Sequence, residues 1–144
     1  MADVGLHGRN EVSLELLLRR MRRRWRGRAG ALTCFVGAVR GRSEEGRRVR
    51  HLHYEAAEEE ALSSLRRIAE EAEKEEGILE VSLHHVVGDL RPGEEALYVV
   101  IASRHRKEAF SLLPRLLNRI KREVPIWKKE VYGRGGRWVE GRPS

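Results

Sequence analysis

The chain has 144 residues, 40% of them hydrophobic, and a mean hydropathy of −0.56. This length predicts a single domain over residues 1–144 that can bury one core. The chain contains no run of 18 apolar residues, and this excludes a membrane-spanning helix. The first ten residues lack the apolar core of a signal peptide, so a cytoplasmic protein is expected. The single cysteine excludes an internal disulfide framework and a thiolate-rich metal site.

The formal charge of +7 comes from one cluster of arginines. The seven arginines of this cluster equal the whole net excess, so the rest of the chain is formally neutral. They are Arg19, Arg20, Arg22, Arg23, Arg24, Arg26 and Arg28, with no acidic residue among them. A solvated helix face and loop is the simpler interpretation, and binding of RNA or an acidic surface is the alternative.

The first predicted element is a helix. Ser13 is a candidate cap, and apolar residues follow at helical spacing as far as Trp25, so residues 1–28 are predicted to form a helical, Arg-rich segment. Residues 31–39 are rich in Val, Phe and Thr and predict a strand. Cys34 lies in the middle of that strand, where a buried, unreactive thiol is expected.

After a polar loop over residues 41–47, residues 49–54 alternate in polarity and predict a second strand. If Leu52 and Tyr54 face the core, His51 and His53 face outward. That spacing would suit two metal ligands, but no third ligand follows at a matching spacing, so no metal site is predicted.

The next segments predict a helix and a hairpin. One apolar stripe runs through residues 57–76, and Gly77 is a natural helix stop. Residues 78–87 and 95–102 predict two strands that pair antiparallel across the turn at residues 88–93.

The last long helix is predicted over residues 106–122. Pro114 lies inside it, so a kink or a later helix start is expected. Pro125 prevents the helix from continuing, and residues 126–132 are predicted to be extended. This order of elements predicts an α+β fold with a mainly antiparallel sheet and packed helices.

Two lysines flank the break at Pro125. Because the chain turns there, Lys121 and Lys128 could converge on one pocket, where clustered cations would lower each other's pKa and supply a neutral amine. His105 and Arg106 lie at a predicted helix N-terminus, which favours an anion. A solvated lysine at a helix end is the simpler alternative.

Beyond these features, an ordered series of motifs resembles the large, catalytic subunit of molybdopterin synthase over about residues 29–142. The motifs are Gly37-Ala38-Val39-Arg40, Tyr54-Glu55, His85 with Gly88 and Gly93-Glu94, His105-Arg106-Lys107-Glu108-Ala109-Phe110, Lys121, Pro125-Ile126-Trp127-Lys128-Lys129-Glu130, and Arg137-Trp138.

The resemblance implies an α/β-hammerhead fold and a sulfurtransferase in molybdenum cofactor biosynthesis. Two sulfurs would be delivered to cyclic pyranopterin monophosphate, which makes the dithiolene of molybdopterin. The sulfur would come from the C-terminal Gly-Gly thiocarboxylate of a ubiquitin-like small subunit. The resemblance further implies a homodimer within a heterotetramer and no cofactor of the chain's own.

The resemblance also assigns site residues. Lys121 is expected nearest the thiocarboxylate, and Lys128 is expected to transfer a proton or activate the substrate. The substrate-binding residues implied by the family pattern are Arg40, His105, Arg106 and Arg142.

The sequence departs from the family pattern at two places, and it leaves two alternative functions open. His85-Val86 stands where similar proteins usually have His-Arg, and the arginine cluster is not part of the pattern. One alternative is a basic RNA-binding module, although no strand of exposed aromatics for base stacking is predicted. Another is a non-catalytic scaffold for a ubiquitin-like partner.

Overall fold

The computed structural model describes residues 2–139. Its elements in chain order are β1 Asp3–His7, α1 Leu14–Arg24, β2 Ala31–Ala38, β3 His51–Ala56, α2 Glu58–Glu73, β4 Ile78–Val86, β5 Gly88–Leu90, β6 Glu95–Ser103, α3 Arg106–Glu123, β7 Ile126–Val131 and β8 Gly136–Val139. In this part of the chain, no helix is both long enough and apolar enough to cross a membrane.

The strands form two four-stranded sheets. The larger sheet has the order β1-β4-β6-β2, and the smaller has the order β5-β3-β7-β8. Every pairing is antiparallel except that of β1 with β4. The predicted α+β class with a mainly antiparallel sheet is therefore confirmed, as is the antiparallel pairing of β4 with β6.

Two hydrophobic cores lie on the two faces of the larger sheet. Alternate residues of a strand point to opposite faces, and β6 supplies both cores in this way. Val99 and Ile101 are buried with α2 and α3 in one core, while Tyr98 and Val100 are buried with α1 and the smaller sheet in the other. Because β6 is covered on both sides, its sequence is almost continuously apolar.

The prediction that residues 1–28 are helical was wrong at the N-terminus. Residues Asp3–His7 form β1, which pairs in parallel with β4 from Asp3↔Ser82 to His7↔Val86. The partner strand lies about 80 residues away in sequence, so the pattern of these five residues carries little information about it. The helix itself is as predicted, and Ser13 Oγ accepts a hydrogen bond from Leu16 N at 3.2 Å.

Two short strands were not predicted. β5 pairs with β3 inside the predicted hairpin turn, and β8 begins at Gly136 and pairs with β7. A Cβ at Gly136 would collide with the backbone carbonyl of Glu130, so the close approach of these strands requires glycine. The glycines between residues 133 and 136 therefore lie where β7 connects to β8 in a hairpin.

Pro114 does not delay the start of α3, which runs from Arg106 to Glu123. The proline lies on the exposed side of the helix, where the carbonyl four residues earlier, that of Phe110, can bond to water instead of a backbone N–H. The side chain of Phe110 on this helix is 60% exposed, whereas Leu112 is buried.

Cys34 is exposed, which corrects the prediction of a buried thiol. It lies on β2, which is an edge strand of the larger sheet and has one strand neighbour in the described chain. Partial desolvation still raises the pKa of its thiol. An ordinary or raised pKa leaves little thiolate near neutral pH, in agreement with the expectation of a poor nucleophile.

Candidate active site

A narrow pocket lies between the C-terminal end of α3 and the inner face of the smaller sheet. Both lysines at the Pro125 break line it. The full lining is Tyr54, His85, Ile120, Lys121, Val124, Ile126 and Lys128. Its volume is about 10 Å³, which is room for about one water molecule. The pocket is therefore too small for a fused ring system.

The local sequence explains how the lysines reach the same pocket. α3 ends at Glu123, and Val124 has extended backbone angles, so Pro125 follows a residue that has already left the helix. β7 then runs back along β3, where Lys128 is opposite Tyr54. Neighbouring residues of a strand point to opposite faces, so Lys129 leaves the pocket and lies 5.9 Å from the ring centre of Trp138.

Burial and neighbouring cations lower the pKa of Lys128. Desolvation is the largest cause, and the positive charges of Arg40 and Lys121 act in the same direction. Glu130 and Glu44 oppose the shift, but they do not reverse it. A lysine with a lowered pKa carries more neutral amine near pH 7, and a neutral amine can accept a proton.

Tyr54 and His85 were not among the predicted site residues, yet both line the pocket. His85 is 1% exposed, and burial lowers its pKa to about 4, with Lys128 adding to the shift. Its Nδ1 lies 2.7 Å from the carbonyl oxygen of Val86, which can only accept, so Nδ1 carries the proton. Burial raises the pKa of Tyr54 to about 12. Their place in the series of family motifs was the signal that could have identified them.

A wider groove adjoins this pocket. It has a volume of about 770 Å³, and it shares Lys121, Val124 and Ile126 with the pocket. Trp127 and Trp138 lie in its wall and are 51% and 52% exposed. Large exposed aromatics beside a cleft are typical of surfaces that bind another molecule. The lysine pocket is thus the narrow end of a wider, partly aromatic groove.

Comparisons with known proteins agree with this geometry. The family model described as MoaE protein matches residues 9–123. The chain belongs to the MoaE protein family. It is 38% identical to the molybdopterin synthase catalytic subunit of Pyrococcus abyssi over 78% of this chain and 75% of that protein, and 40% identical to that of Pseudomonas aeruginosa over 80% and 76%. The resemblance expected from the motifs is therefore confirmed.

Solved structures of the family show the same fold. The X-ray crystal structure of molybdopterin synthase from Staphylococcus aureus has a TM-score of 0.81 and 30% sequence identity, and it covers 93% of this chain and 94% of that one. The MoaE protein from Burkholderia ambifaria has a TM-score of 0.80 and 32% identity, with coverage of 99% and 91%.

The family pattern groups Arg40, His105 and Arg106 in one anion pocket, but a single chain does not bring all three together. Arg40 is close enough for its charge to affect Lys128. His105 and Arg106 lie at the opposite end of α3, about 22 Å from Lys121 at 1.5 Å per residue. Both are exposed. Arg142 lies outside the described residues.

The outward-facing histidines of β3 lie beside acidic side chains. His53 Nδ1 lies 2.7 Å from Asp89, which is the main cause of its raised pKa, and its Nε2 lies 3.1 Å from Glu55. His51 lies 3.6 Å from Asp89. Among residues 2–139, no group of three or more His, Cys, Asp or Glu side chains is arranged to hold a metal ion.

Proposed function

We propose that this chain is the catalytic subunit of a molybdopterin synthase, which converts cyclic pyranopterin monophosphate to molybdopterin. The observation that supports this most directly is the convergence of Lys121 and Lys128 on one narrow pocket. Family membership and the names of the relatives agree with it. Sulfur would come from the C-terminal thiocarboxylate of a ubiquitin-like small subunit.

The shapes of the two cavities suit this reaction. A chain that ends in Gly-Gly has no side chains near its terminus, so its end can approach the mouth of this narrow pocket, where Lys121 and Lys128 line the wall. The pterin is too large for that pocket and would bind in the adjoining groove, beside Lys121 and the exposed tryptophans. The thiocarboxylate and the substrate would then meet at Lys121.

The electrostatics suggest a division of labour between the lysines. Lys121 lies in the walls of both cavities, so it is well placed to contact the thiocarboxylate. Lys128 is half-buried, and its pKa is lowered by burial and by the nearby cations. We assign Lys128 the proton transfer and Arg40 the binding of the anionic substrate, since a guanidinium pairs with phosphate through two hydrogen bonds.

Substitution of each lysine tests the assignment. Lys121→Ala should abolish dithiolene formation with a thiocarboxylated small subunit, and Lys128→Ala should slow it by about 100-fold or more. Lys129→Ala is the matched control, because Lys129 is adjacent in sequence but lies on the other face of β7. Near-normal turnover by folded Lys121→Ala protein would reject the catalytic assignment and favour a non-catalytic scaffold.

A structural relative also supports the proposal of a small-subunit partner. A solved structure described as the complex of subunits 1 and 2 of molybdopterin-converting factor from Helicobacter pylori has the same fold, with a TM-score of 0.76 and 20% identity. We propose that the small subunit of this chain docks over the groove that contains Trp127 and Trp138. Trp127→Ala should weaken capture of a Gly-Gly-ended small subunit. Phe110→Ala is the control and should not, because Phe110 is also an exposed aromatic but lies on α3 outside the groove.

We further propose that two copies of the chain pair through β2 and share their active sites. β2 has one strand neighbour within the described chain, so its other edge offers unpaired backbone groups. Its first residue, Ala31, is opposite Ser103, close to His105, and its last residue lies two positions before Arg40. In an antiparallel pair of two β2 strands, the Ala31 end of one copy lies beside the Arg40 end of the other. This pairing would bring His105 of one copy towards the lysine pocket of the other.

Mixing two inactive variants tests this sharing. If His105 completes the lysine site of the other copy, Lys121→Ala and His105→Ala chains should complement each other. Half of the random dimers contain one chain of each variant, and each of these mixed dimers has one site in which both Lys121 and His105 are intact. About a quarter of wild-type activity should return after the subunits exchange. No recovery in mixtures shown to form mixed dimers would contradict a shared site.

A further inference from the structure

Four arginines of the basic cluster line one groove beside α1. Arg19, Arg22 and Arg23 lie on the helix, and Arg26 lies in the turn that follows it. The groove has a volume of about 550 Å³ and includes the start of β2. It shares no lining residue with the lysine pocket or its adjoining groove. It is therefore a separate surface from the candidate active site.

The other three arginines of the cluster already have partners. Arg20 lies 3.9 Å from Asp3, and Arg24 lies 3.0 Å from the buried carboxylate of Glu80. Arg28 stacks over the ring of Trp25 at 4.4 Å. By contrast, the four groove arginines make no ion pair within residues 2–139. All four are exposed, so the groove presents four uncompensated positive charges.

The floor of this groove is fixed. The indole N–H of Trp25 donates to Glu80, which is fully buried on β4, and Met21 is 1% exposed. These contacts hold the helix end and its turn against the larger sheet. An anion that binds the groove would therefore meet preorganised cations rather than a loose tail, which lowers the entropic cost of binding.

We propose that this groove binds the sugar–phosphate backbone of a nucleic acid. Seven residues separate Arg19 from Arg26, about 10 Å at the helical rise. Four phosphates of one strand span a similar distance, since a strand carries one charge per 3.4 Å or so of helix axis. Each guanidinium can pair with a phosphate through two hydrogen bonds.

The groove reads charge and not base sequence. The face of Trp25 is occupied by Arg28 and its N–H by Glu80, so the aromatic residue of the groove is not free to stack on a base. An acidic protein surface is the less suitable occupant, because Leu32 and Ala29, which line the groove, are already half-buried and offer little apolar area for the centre of a protein interface.

Fluorescence anisotropy with a labelled single-stranded RNA of about 12 nucleotides and mixed sequence tests the proposal. Four phosphate contacts predict that log K falls with log salt concentration with a slope of about −2.8. The variant with Arg19, Arg22, Arg23 and Arg26 changed to Gln should lose at least about tenfold in affinity and most of that slope. Its circular dichroism spectrum and its synthase activity should be unchanged.

The control variant removes the same number of positive charges from the surface outside the groove. It changes four exposed arginines outside the groove, Arg48, Arg50, Arg66 and Arg134, to Gln. This control should retain the RNA affinity if the groove is the site. Equal weakening by both variants would show that net charge alone binds RNA and would overturn the proposal, as would equally tight binding of a poly-glutamate peptide that carries the same charge as the RNA.

Discussion

The buried imidazole of His85 makes stability sensitive to acid, and the size of this effect follows from its environment. Burial lowers the pKa of His85 to about 4 from an ordinary value of 6.5. Above pH 6.5 the imidazole is neutral in both the folded and the unfolded chain, so it has no effect on stability. As the pH falls below 6.5, His85 becomes protonated in the unfolded chain but stays neutral in the folded chain. The free energy of unfolding therefore decreases until about pH 4, where the folded chain is protonated as well.

At pH 5 this uptake should lower the free energy of unfolding by about 2 kcal/mol, and the full shift corresponds to about 3 kcal/mol. The perturbation is His85→Asn, whose amide N–H occupies the position of the imidazole Nδ1–H opposite the Val86 carbonyl but does not titrate in this range. The free energy of unfolding of this variant should therefore fall less between pH 7 and pH 5 than that of the wild type, by about 2 kcal/mol.

Urea denaturation followed by circular dichroism at pH 7 and pH 5 measures this difference, provided that the m-value is unchanged. His53→Gln is the control. Asp89 raises the pKa of half-buried His53, so that side chain stabilises the fold at acid pH and loses this effect as the pH rises. The His53→Gln variant should therefore lose at least as much free energy of unfolding between pH 7 and pH 5 as the wild type does. An equal fall in wild type and His85→Asn would refute the account of His85.

Three further predictions concern the core, a turn and the site. Leu65→Ala should lower the free energy of unfolding by about 2–5 kcal/mol in urea denaturation, because Leu65 lies on the inner face of α2 and is fully buried. Gly77→Ala should lower it by more than about 1 kcal/mol, because Gly77 has φ of 85° and a Cβ there would meet the Glu108 side chain. The pH–rate profile of dithiolene formation should rise through a pKa below that of an ordinary lysine, and Lys128→Ala should remove this rise; an unchanged profile would contradict the assignment of Lys128.

The helices and central strands could be predicted because their determinants are local. Ser13 caps α1, Gly77 with positive φ ends the segment after α2, and Pro125 follows the end of α3. The alternation in β3 correctly placed Leu52 and Tyr54 in the core. Each of these signals depends on residues within one turn or one strand of the element it defines.

The features that were missed depend on distant parts of the chain. β1 exists because of its parallel ladder with β4, and Cys34 is exposed because β2 lies at the edge of the sheet. Neither fact can be read from a local pattern. The separation of His105 from Lys121 could have been predicted, since the length of α3 alone places them at opposite ends of the helix.

The central claim is that the tail of a ubiquitin-like small subunit ends between Lys121 and Lys128. Carbodiimide cross-linking of the small subunit's C-terminal carboxylate, followed by peptide mass spectrometry, tests it directly, because only a lysine in contact with the terminus forms an amide. The expected cross-links join the terminal glycine to Lys121 or Lys128. Cross-links found only at the three other lysines, Lys74, Lys107 and Lys129, would contradict the claim.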